Sequence, residues 1–230
     1  MRKEKFVTGE YYHIYNRGVD KRTIFLDKND YLRFLKSIKE FNVCRVDGGL
    51  YRKFLREREV VNRGSASNLE AEPLNELEAE PLNDHLVDFI CYCLNPNHFH
   101  MILRQSREDG IVKFMQRLGT AYTMYFNTKY KRSGVLFQGK FKAMEIQSNE
   151  DLLWVSTYVN ANAQIHGLIK DASQYKWCSF PEYLGLIREN FCHKNVILDQ
   201  FRSPEVYKDV AEECLLKMKK DKDLQKYLID

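Results

Sequence analysis

Two histidines separated by a single residue are the clearest candidate for chemistry in this chain of 230 residues. They are His98 and His100, with Phe99 between them. Because side chains alternate along a β-strand, both imidazoles would lie on one face of a sheet and Phe99 on the other. Imidazoles about 7 Å apart can share one divalent cation. The spacing is equally compatible with two exposed strand histidines that bind no metal.

A second candidate is formed by Tyr158 and Asn162, which are four positions apart. Residues at this spacing share one face of a helix, so the two side chains would be neighbours. An asparagine oxygen can ligate a metal, and a tyrosine one turn earlier would lie beside that metal. Phenol has a pKa of about 10, so tyrosine is a competent nucleophile only where its target is polarised. The alternative is a half-buried tyrosine that serves packing alone.

The periodicity of the apolar residues predicts the elements that would position these side chains. Alternation predicts strands, and spacings of three and four predict helices. The capping box Ser148-x-x-Asp151 marks the start of the helix that carries Tyr158, and Gly167 marks its end. Strands are predicted at residues 11–16, 86–94, 98–104 and 140–147, and helices at 27–41, 110–130, 148–166 and 204–219. This order predicts an α+β fold with a ferredoxin-like (split βαβ) antiparallel sheet, an appended helix and a helical C-terminal tail.

An acidic repeat interrupts an otherwise basic chain. Residues 68–75 and 76–83 share LEAEPLN after their first residue, and residues 68–84 contain six acids and no lysine or arginine. The remainder has 36 basic and 32 − 6 = 26 acidic residues, a balance of +10. That balance is compatible with a polyanion-binding protein and equally with a solvated surface. We predict a catalytic domain at residues 1–167 with a flexible insert at about 62–85, and a C-terminal extension at 168–230.

The composition excludes several classes of protein. Hydrophobic residues make up 44% and aromatic residues 13%, which excludes wholesale disorder. No run of about 18 apolar residues is present, and the N-terminal residues lead into no apolar signal core. The six cysteines form no Cys-x-x-Cys and are unlike a disulfide framework. We therefore expect a cytoplasmic protein with reduced cysteines and no membrane partner.

Five ordered segments of the sequence resemble the REP-associated tyrosine transposases of bacteria, which belong to the single-tyrosine HUH transposases. The segments are YYHIYNRG (11–18), VDFICYCLNPNHFHMILR (87–104), SGVLFQGKFKA (133–143), STYVNANAQIHG (156–167) and YKWCSFPEYLG (175–185). The resemblance covers most of residues 10–185. It implies an enzyme that nicks and joins single-stranded or hairpin DNA, and that is associated with the nucleoid when bound to DNA.

The resemblance also assigns roles to individual residues. It implies that His98 and His100 bind Mg²⁺ or Mn²⁺, that Asn162 completes the metal site, and that Tyr158 is the nucleophile. Attack by Tyr158 on DNA would give a 5′-phosphotyrosine and a free 3′-OH. Ala163 stands where the family often has proline, and we expect alanine to continue the helix and leave the site in place. Relatives work as monomers or homodimers, so both states stay open.

Basic residues near the predicted fourth strand are candidates for binding DNA phosphates. They are Arg117, Lys129, Lys131, Arg132, Lys140 and Lys142. Two other function classes remain open. A ferredoxin-like sheet with surface aromatics can be a non-catalytic module that binds single-stranded nucleic acid. Alternatively, the metal site could support phosphodiester hydrolysis by water, with Tyr158 in a purely structural role.

Overall fold

A four-stranded antiparallel sheet forms the centre of the computed structural model, which describes residues 5–44, 85–188 and 191–218. Its strands lie in the spatial order β2-β3-β1-β4, and each neighbouring pair is antiparallel. The strands are β1 (Tyr11–Arg17), β2 (Val87–Asn95), β3 (His98–Gln105) and β4 (Lys142–Ile146). With β3 between β1 and β2, this is the split βαβ arrangement. The predicted α+β, ferredoxin-like fold is confirmed.

Two long helices cover one face of the sheet. They are α1 (Lys28–Phe41) and α2 (Gly110–Lys129). Phe34 of α1 packs against Phe99 of β3 and against Tyr122 of α2, with ring centroids 5.3 and 4.9 Å apart. All three rings are buried. Because Phe99 lies between the two histidines of β3, this aromatic core directs both imidazoles to the opposite face.

The opposite face is covered by helix α3 (Asn149–Asn160), which carries Tyr158. The predicted N-cap is confirmed, since Asp151 N donates to Ser148 Oγ at 3.0 Å. The prediction that the helix continues through Ala163 was wrong. The helix ends at Asn160, and a separate short helix, α4 (Asn162–Ile165), follows.

The break falls at Ala161, between two asparagines whose side chains are anchored in different places. The Asn160 amide is bound by Tyr207 and Ser179, at 2.9 and 2.6 Å. The Asn162 amide instead accepts a hydrogen bond from Asn95 of β2. The backbone turns between these two anchors, at φ −94° and ψ 3°.

The C-terminal extension packs against the sheet and against α3. Its helices are α5 (Phe180–Tyr183), α6 (Asn195–Leu198) and α7 (Pro204–Met218). Leu94 N donates to the carbonyl of Trp177 at 2.9 Å, which attaches the extension to β2. The domain boundary at residue 167 stays a prediction. The insert predicted at about 62–85 lies, apart from residue 85, outside the described residues.

Two expectations from composition can be compared with the structure. All six cysteines are free. No helix in the described ranges is long and apolar enough to cross a membrane.

The buried contact between α7 and α3 gives the first prediction. Tyr207→Phe removes the oxygen that accepts from Asn160 Nδ2 and leaves that buried donor without this partner. We expect the free energy of unfolding to fall by about 1–3 kcal/mol, measured by urea denaturation. Tyr11→Phe, at a partly buried position on β1, is the control and should change it by less than about 0.5 kcal/mol. Equal effects of the two variants would contradict the role assigned to this hydroxyl.

Candidate active site

The two imidazoles of the His-x-His pair lie on the sheet face that α3 covers. Their ring centroids are 5.1 Å apart, and the ring planes are nearly perpendicular, at 88°. His100 is fully buried, and His98 is half-buried at the surface. The structure thus places both predicted metal ligands on one face of β3, with Phe99 in the core behind them.

Asn162 lies beside His98, as the predicted ligand set requires. Its Oδ1 is 3.3 Å from His98 Nε2. His98 Nδ1 lies 2.6 Å from Asn97 Oδ1, an acceptor that can bond only to a protonated ring nitrogen. Asn95 Nδ2 lies 2.8 Å from His98 Nε2, and an amide donor requires a lone pair there. The contacts with Asn97 and Asn95 favour the tautomer of His98 whose Nε2 carries no hydrogen. In that tautomer the 3.3 Å contact with Asn162 Oδ1 is an approach of two acceptors and not a hydrogen bond.

The second imidazole, His100, is stacked on His13 of β1. His13 Nε2 and His100 Nδ1 are 2.9 Å apart, and the rings are nearly parallel, at 22°. Burial lowers the pKa of His13 to about 3. Burial, followed by the neighbouring histidines, lowers the pKa of His100 well below its usual value of about 6.5. Both rings are therefore neutral at pH 7, and each carries one hydrogen. One of these two hydrogens forms the bond between His13 Nε2 and His100 Nδ1.

The donor set of this cluster fits a divalent cation. It offers imidazole nitrogens from His98 and His100 and an amide oxygen from Asn162, all of them neutral. His100 Nε2 is buried and has no hydrogen-bond partner, although buried polar atoms are normally satisfied. Among the described residues, no group of three or more His, Cys, Asp or Glu could hold a metal. The third protein ligand would therefore be the amide, as Asn162 allows.

Tyr158 contacts both stacked imidazoles and is almost wholly buried, with 1% of its surface exposed. Its ring meets His100 edge-on at 5.4 Å and His13 edge-on at 5.8 Å. The predicted nucleophile and the predicted metal ligands therefore come together within a single chain. They come from α3, α4 and β3, which are distant from one another in sequence.

Three other tyrosines, Tyr122, Tyr125 and Tyr130, lie on the other side of the sheet. The hydroxyl of Tyr122 donates to the carbonyl of Ile24 at 2.6 Å. The hydroxyls of Tyr125 and Tyr130 donate to the carboxylate of Asp30, at 3.0 and 2.8 Å. These three phenols connect α2 to α1 and the segment before it, far from the imidazoles.

An open cavity of about 420 Å³ lies over the histidine pair. Of the residues predicted to bind DNA, Lys142 lines this cavity, and its Nζ lies 5.8 Å from the centre of the Tyr15 ring. The remaining polar lining includes Asn16, Arg17, Lys21, Thr23, Gln138 and His166. The cavity therefore combines cationic side chains with an accessible aromatic ring.

The structure places the other predicted DNA-binding residues away from this cavity. Lys129 forms ion pairs of 2.8 Å with both Asp27 and Asp30. Although burial opposes it, the hydrogen bonds that Lys129 donates to these carboxylates raise the pKa of Lys129 above its usual range. Arg117 donates to two backbone carbonyls at the C-terminal end of α1, those of Phe41, the last residue of the helix, and Val43.

Arg132 also bonds within the protein, to Asn127 Oδ1 at 2.7 Å and to the carbonyl of Val135 at 3.2 Å. Lys131 and Lys140 are exposed. A contact with DNA remains a prediction for all six basic residues. Lys142 is the one among them that lines the cavity.

Sequence reasoning missed three residues of this site. His13 lies within a predicted strand and His166 at the end of a predicted helix, and neither pattern predicts chemistry there, yet the His166 ring lies 4.8 Å from that of His98. Asn95 could have been found, because a two-residue hairpin turn pairs the residues on either side of it, here Asn95 with His98. No local signal identifies His13, because its role depends on which strand lies beside β3.

Comparison with known proteins gives a family match for the part of the chain that carries this arrangement. Residues 51–162, which include the histidine pair, Tyr158 and Asn162, match the family model of IS200-like transposases. No curated protein matches the chain in sequence. A solved structure of a REP-associated tyrosine transposase bound to a REP hairpin is similar in fold, with a TM-score of 0.52 and 13% sequence identity. The match covers 80% of this chain and 85% of that one. Residues 51–162 of this chain are therefore similar to the IS200-like transposases, and its fold is similar to that of a REP-associated tyrosine transposase.

Proposed function

We propose that this protein is a metal-dependent transposase that nicks and joins DNA, and that it cuts single-stranded DNA by forming a covalent bond to Tyr158. The observation that carries the proposal is the convergence of Tyr158, His98, His100 and Asn162 in one buried cluster. A tyrosine that served packing alone would not need a neutral two-histidine, one-amide set beside it.

The ligands of the cation are His98 Nε2, His100 Nε2 and Asn162 Oδ1. Mg²⁺ and Mn²⁺ are both compatible with such a set, with water or phosphate oxygens in the other positions. When bound, the ion polarises the scissile phosphate and offsets negative charge on the leaving oxygen. Because all three ligands are neutral, they leave the charge of the ion available to the phosphate. Asn95 and Asn97 hold the His98 ring in the orientation and tautomer that this requires.

The chemical step conserves phosphodiester bonds. The Tyr158 oxygen attacks phosphorus as the bond from phosphorus to the 3′ oxygen breaks. The phenol loses its proton, and the 3′ oxygen takes one up, which leaves a 5′-phosphotyrosine and a free 3′-OH. Attack by another DNA 3′-OH reverses the step and releases Tyr158. Strands can thus be joined without ATP.

The lining of the cavity favours single-stranded DNA as the substrate. Arg17, Lys21 and Lys142 can neutralise phosphates, and Tyr15 offers an aromatic face on which an unpaired base can stack. The structurally similar transposase was solved with a REP hairpin, which supports a hairpin with an adjacent single strand as the substrate here.

Loss of the nucleophile tests the covalent mechanism. Tyr158→Phe should lower formation of the protein–DNA adduct by at least about 10³-fold, because the attacking oxygen is absent. The assay uses a labelled single-stranded hairpin with Mn²⁺, resolved on a denaturing gel. Tyr15→Phe is the matched comparison, since Tyr15 also stacks near His100, at 5.8 Å, and this variant should still form the adduct. Metal-dependent cleavage that persists in Tyr158→Phe would indicate hydrolysis by water instead.

The proposed amide ligand is tested by changing its charge and its donor atom. Asn162→Leu should weaken Mn²⁺ binding by at least about 10-fold, measured by calorimetry, because an oxygen ligand is lost. Asn162→Asp keeps an oxygen there and adds a negative charge, so its affinity should equal or exceed that of the unmodified protein. Equal Mn²⁺ affinity in Asn162→Leu and the unmodified protein would exclude Asn162 from the site.

The role of the cavity in DNA binding is tested through salt dependence. Lys142→Gln should weaken binding of the single-stranded hairpin and reduce the slope of log K against log salt by about 0.7, the loss of one phosphate contact. Lys113→Gln, at an exposed position on α2 across the sheet, should leave the slope unchanged. Fluorescence anisotropy at several salt concentrations measures both. Equal slopes for the two variants would argue against this path for the DNA.

A further inference from the structure

The strongest feature not yet explained is the buried pair of imidazoles formed by His13 and His100. His13 is fully buried on β1, and its ring contacts the rings of both His100 and Tyr158, with centroids 5.1 and 5.8 Å away. Its Nε2 is 2.9 Å from His100 Nδ1. In the part of the chain that the structure describes, His13 is the sole hydrogen-bond partner of the His100 ring. A residue that served packing alone would not need a polar ring at this place.

The hydrogen bond admits two arrangements of the shared hydrogen. If His13 Nε2 donates, His100 carries its own hydrogen on Nε2, and that nitrogen cannot bind a cation. If His100 Nδ1 donates, the lone pair of His100 Nε2 is free. His100 Nε2 and His13 Nδ1 are both buried without a hydrogen-bond partner. Only the second arrangement lets a cation satisfy His100 Nε2, and it leaves the hydrogen on His13 Nδ1 without a partner.

We propose that His13 is a positioning residue, which accepts a hydrogen bond from His100 and so keeps His100 Nε2 available to the metal. The inference rests on the metal site of the proposed function. Metal-binding histidines generally donate their second ring nitrogen to a carboxylate, a carbonyl or water, which fixes the tautomer and the ring orientation. Here an imidazole takes that place.

The neutrality of His13 explains why an imidazole suits this position. A carboxylate would accept the same hydrogen bond, but it would place a negative charge in the buried site that an anionic phosphate must approach. Repulsion between like charges is strong where water is excluded. His13 orients His100 without adding that charge.

The tautomer of His100 can be measured directly in the unmodified protein. Long-range ¹H–¹⁵N correlation spectra distinguish Nδ1–H from Nε2–H, and His100→Asn identifies the His100 signal. With saturating Mg²⁺ we expect hydrogen on Nδ1 of His100. Hydrogen on Nε2 under these conditions would overturn the proposal. This readout needs no change at position 13 and does not depend on catalysis.

Variants at position 13 measure the effect on metal affinity. His13→Leu removes the acceptor at similar volume and should weaken Mn²⁺ binding about 10- to 100-fold, followed by the electron paramagnetic resonance signal of free Mn²⁺. His13→Gln can place an amide oxygen near the position of Nε2 and should recover most of that loss. Thermal unfolding of both variants with EDTA verifies that they are folded.

His98→Ala separates a failure of this inference from a failure of the metal site. If His98→Ala loses Mn²⁺ binding while His13→Leu binds as tightly as the unmodified protein, the role of His13 is refuted and the metal site stands. If the unmodified protein and His98→Ala bind Mn²⁺ equally weakly, the metal site fails and the inference fails with it. Weakening in His13→Leu with recovery in His13→Gln supports the positioning role.

Discussion

The alternation of side chains along β3 is the constraint on which the rest of the site depends. β3 is an inner strand, with apolar packing on one face and polar side chains on the other. Phe99 anchors one face in the aromatic core with Phe34 and Tyr122, so His98 and His100 must emerge on the other. A slip of one residue in the pairing of β3 would place the imidazoles among buried aromatic rings. The aromatic core thus sets the position of a polar site that it never touches.

In the proposed function, the groups that take part in the reaction and the groups that bind DNA phosphates lie in different parts of the site. The buried centre consists of neutral side chains, namely imidazoles, amides and a phenol, which can orient a cation and a phosphate without repelling the phosphate. The charged groups lie at the rim of the cavity, where Arg17, Lys21 and Lys142 keep contact with solvent. This division follows from desolvation, because an unpaired charge in the buried centre would carry a large energetic penalty.

The C-terminal extension contributes to the position of the helix that carries Tyr158, the proposed nucleophile. Tyr207 of α7 and Ser179 bind the two ends of the Asn160 amide, in the last turn of α3. These contacts hold α3 against the sheet of its own chain. They fix Asn160, the last residue of α3, directly before the turn at Ala161. Asn162 consequently begins a new helix and points its amide at Asn95 rather than continuing the helix that carries Tyr158.

The sequence by itself predicted the strands and the start of the helix that carries Tyr158, because strand alternation and helix caps are local properties; the end of that helix at Asn160 was not predicted. It therefore predicted His98 and His100 on one face and Tyr158 near Asn162, and the resemblance to a family joined the two pairs. Tertiary structure alone decided that His13 meets His100, because that contact depends on which strand pairs with β3. It likewise placed Lys129 against Asp27 and Asp30. The packing of helices that are far apart in sequence decides which carboxylates a lysine contacts. Composition does not predict that packing.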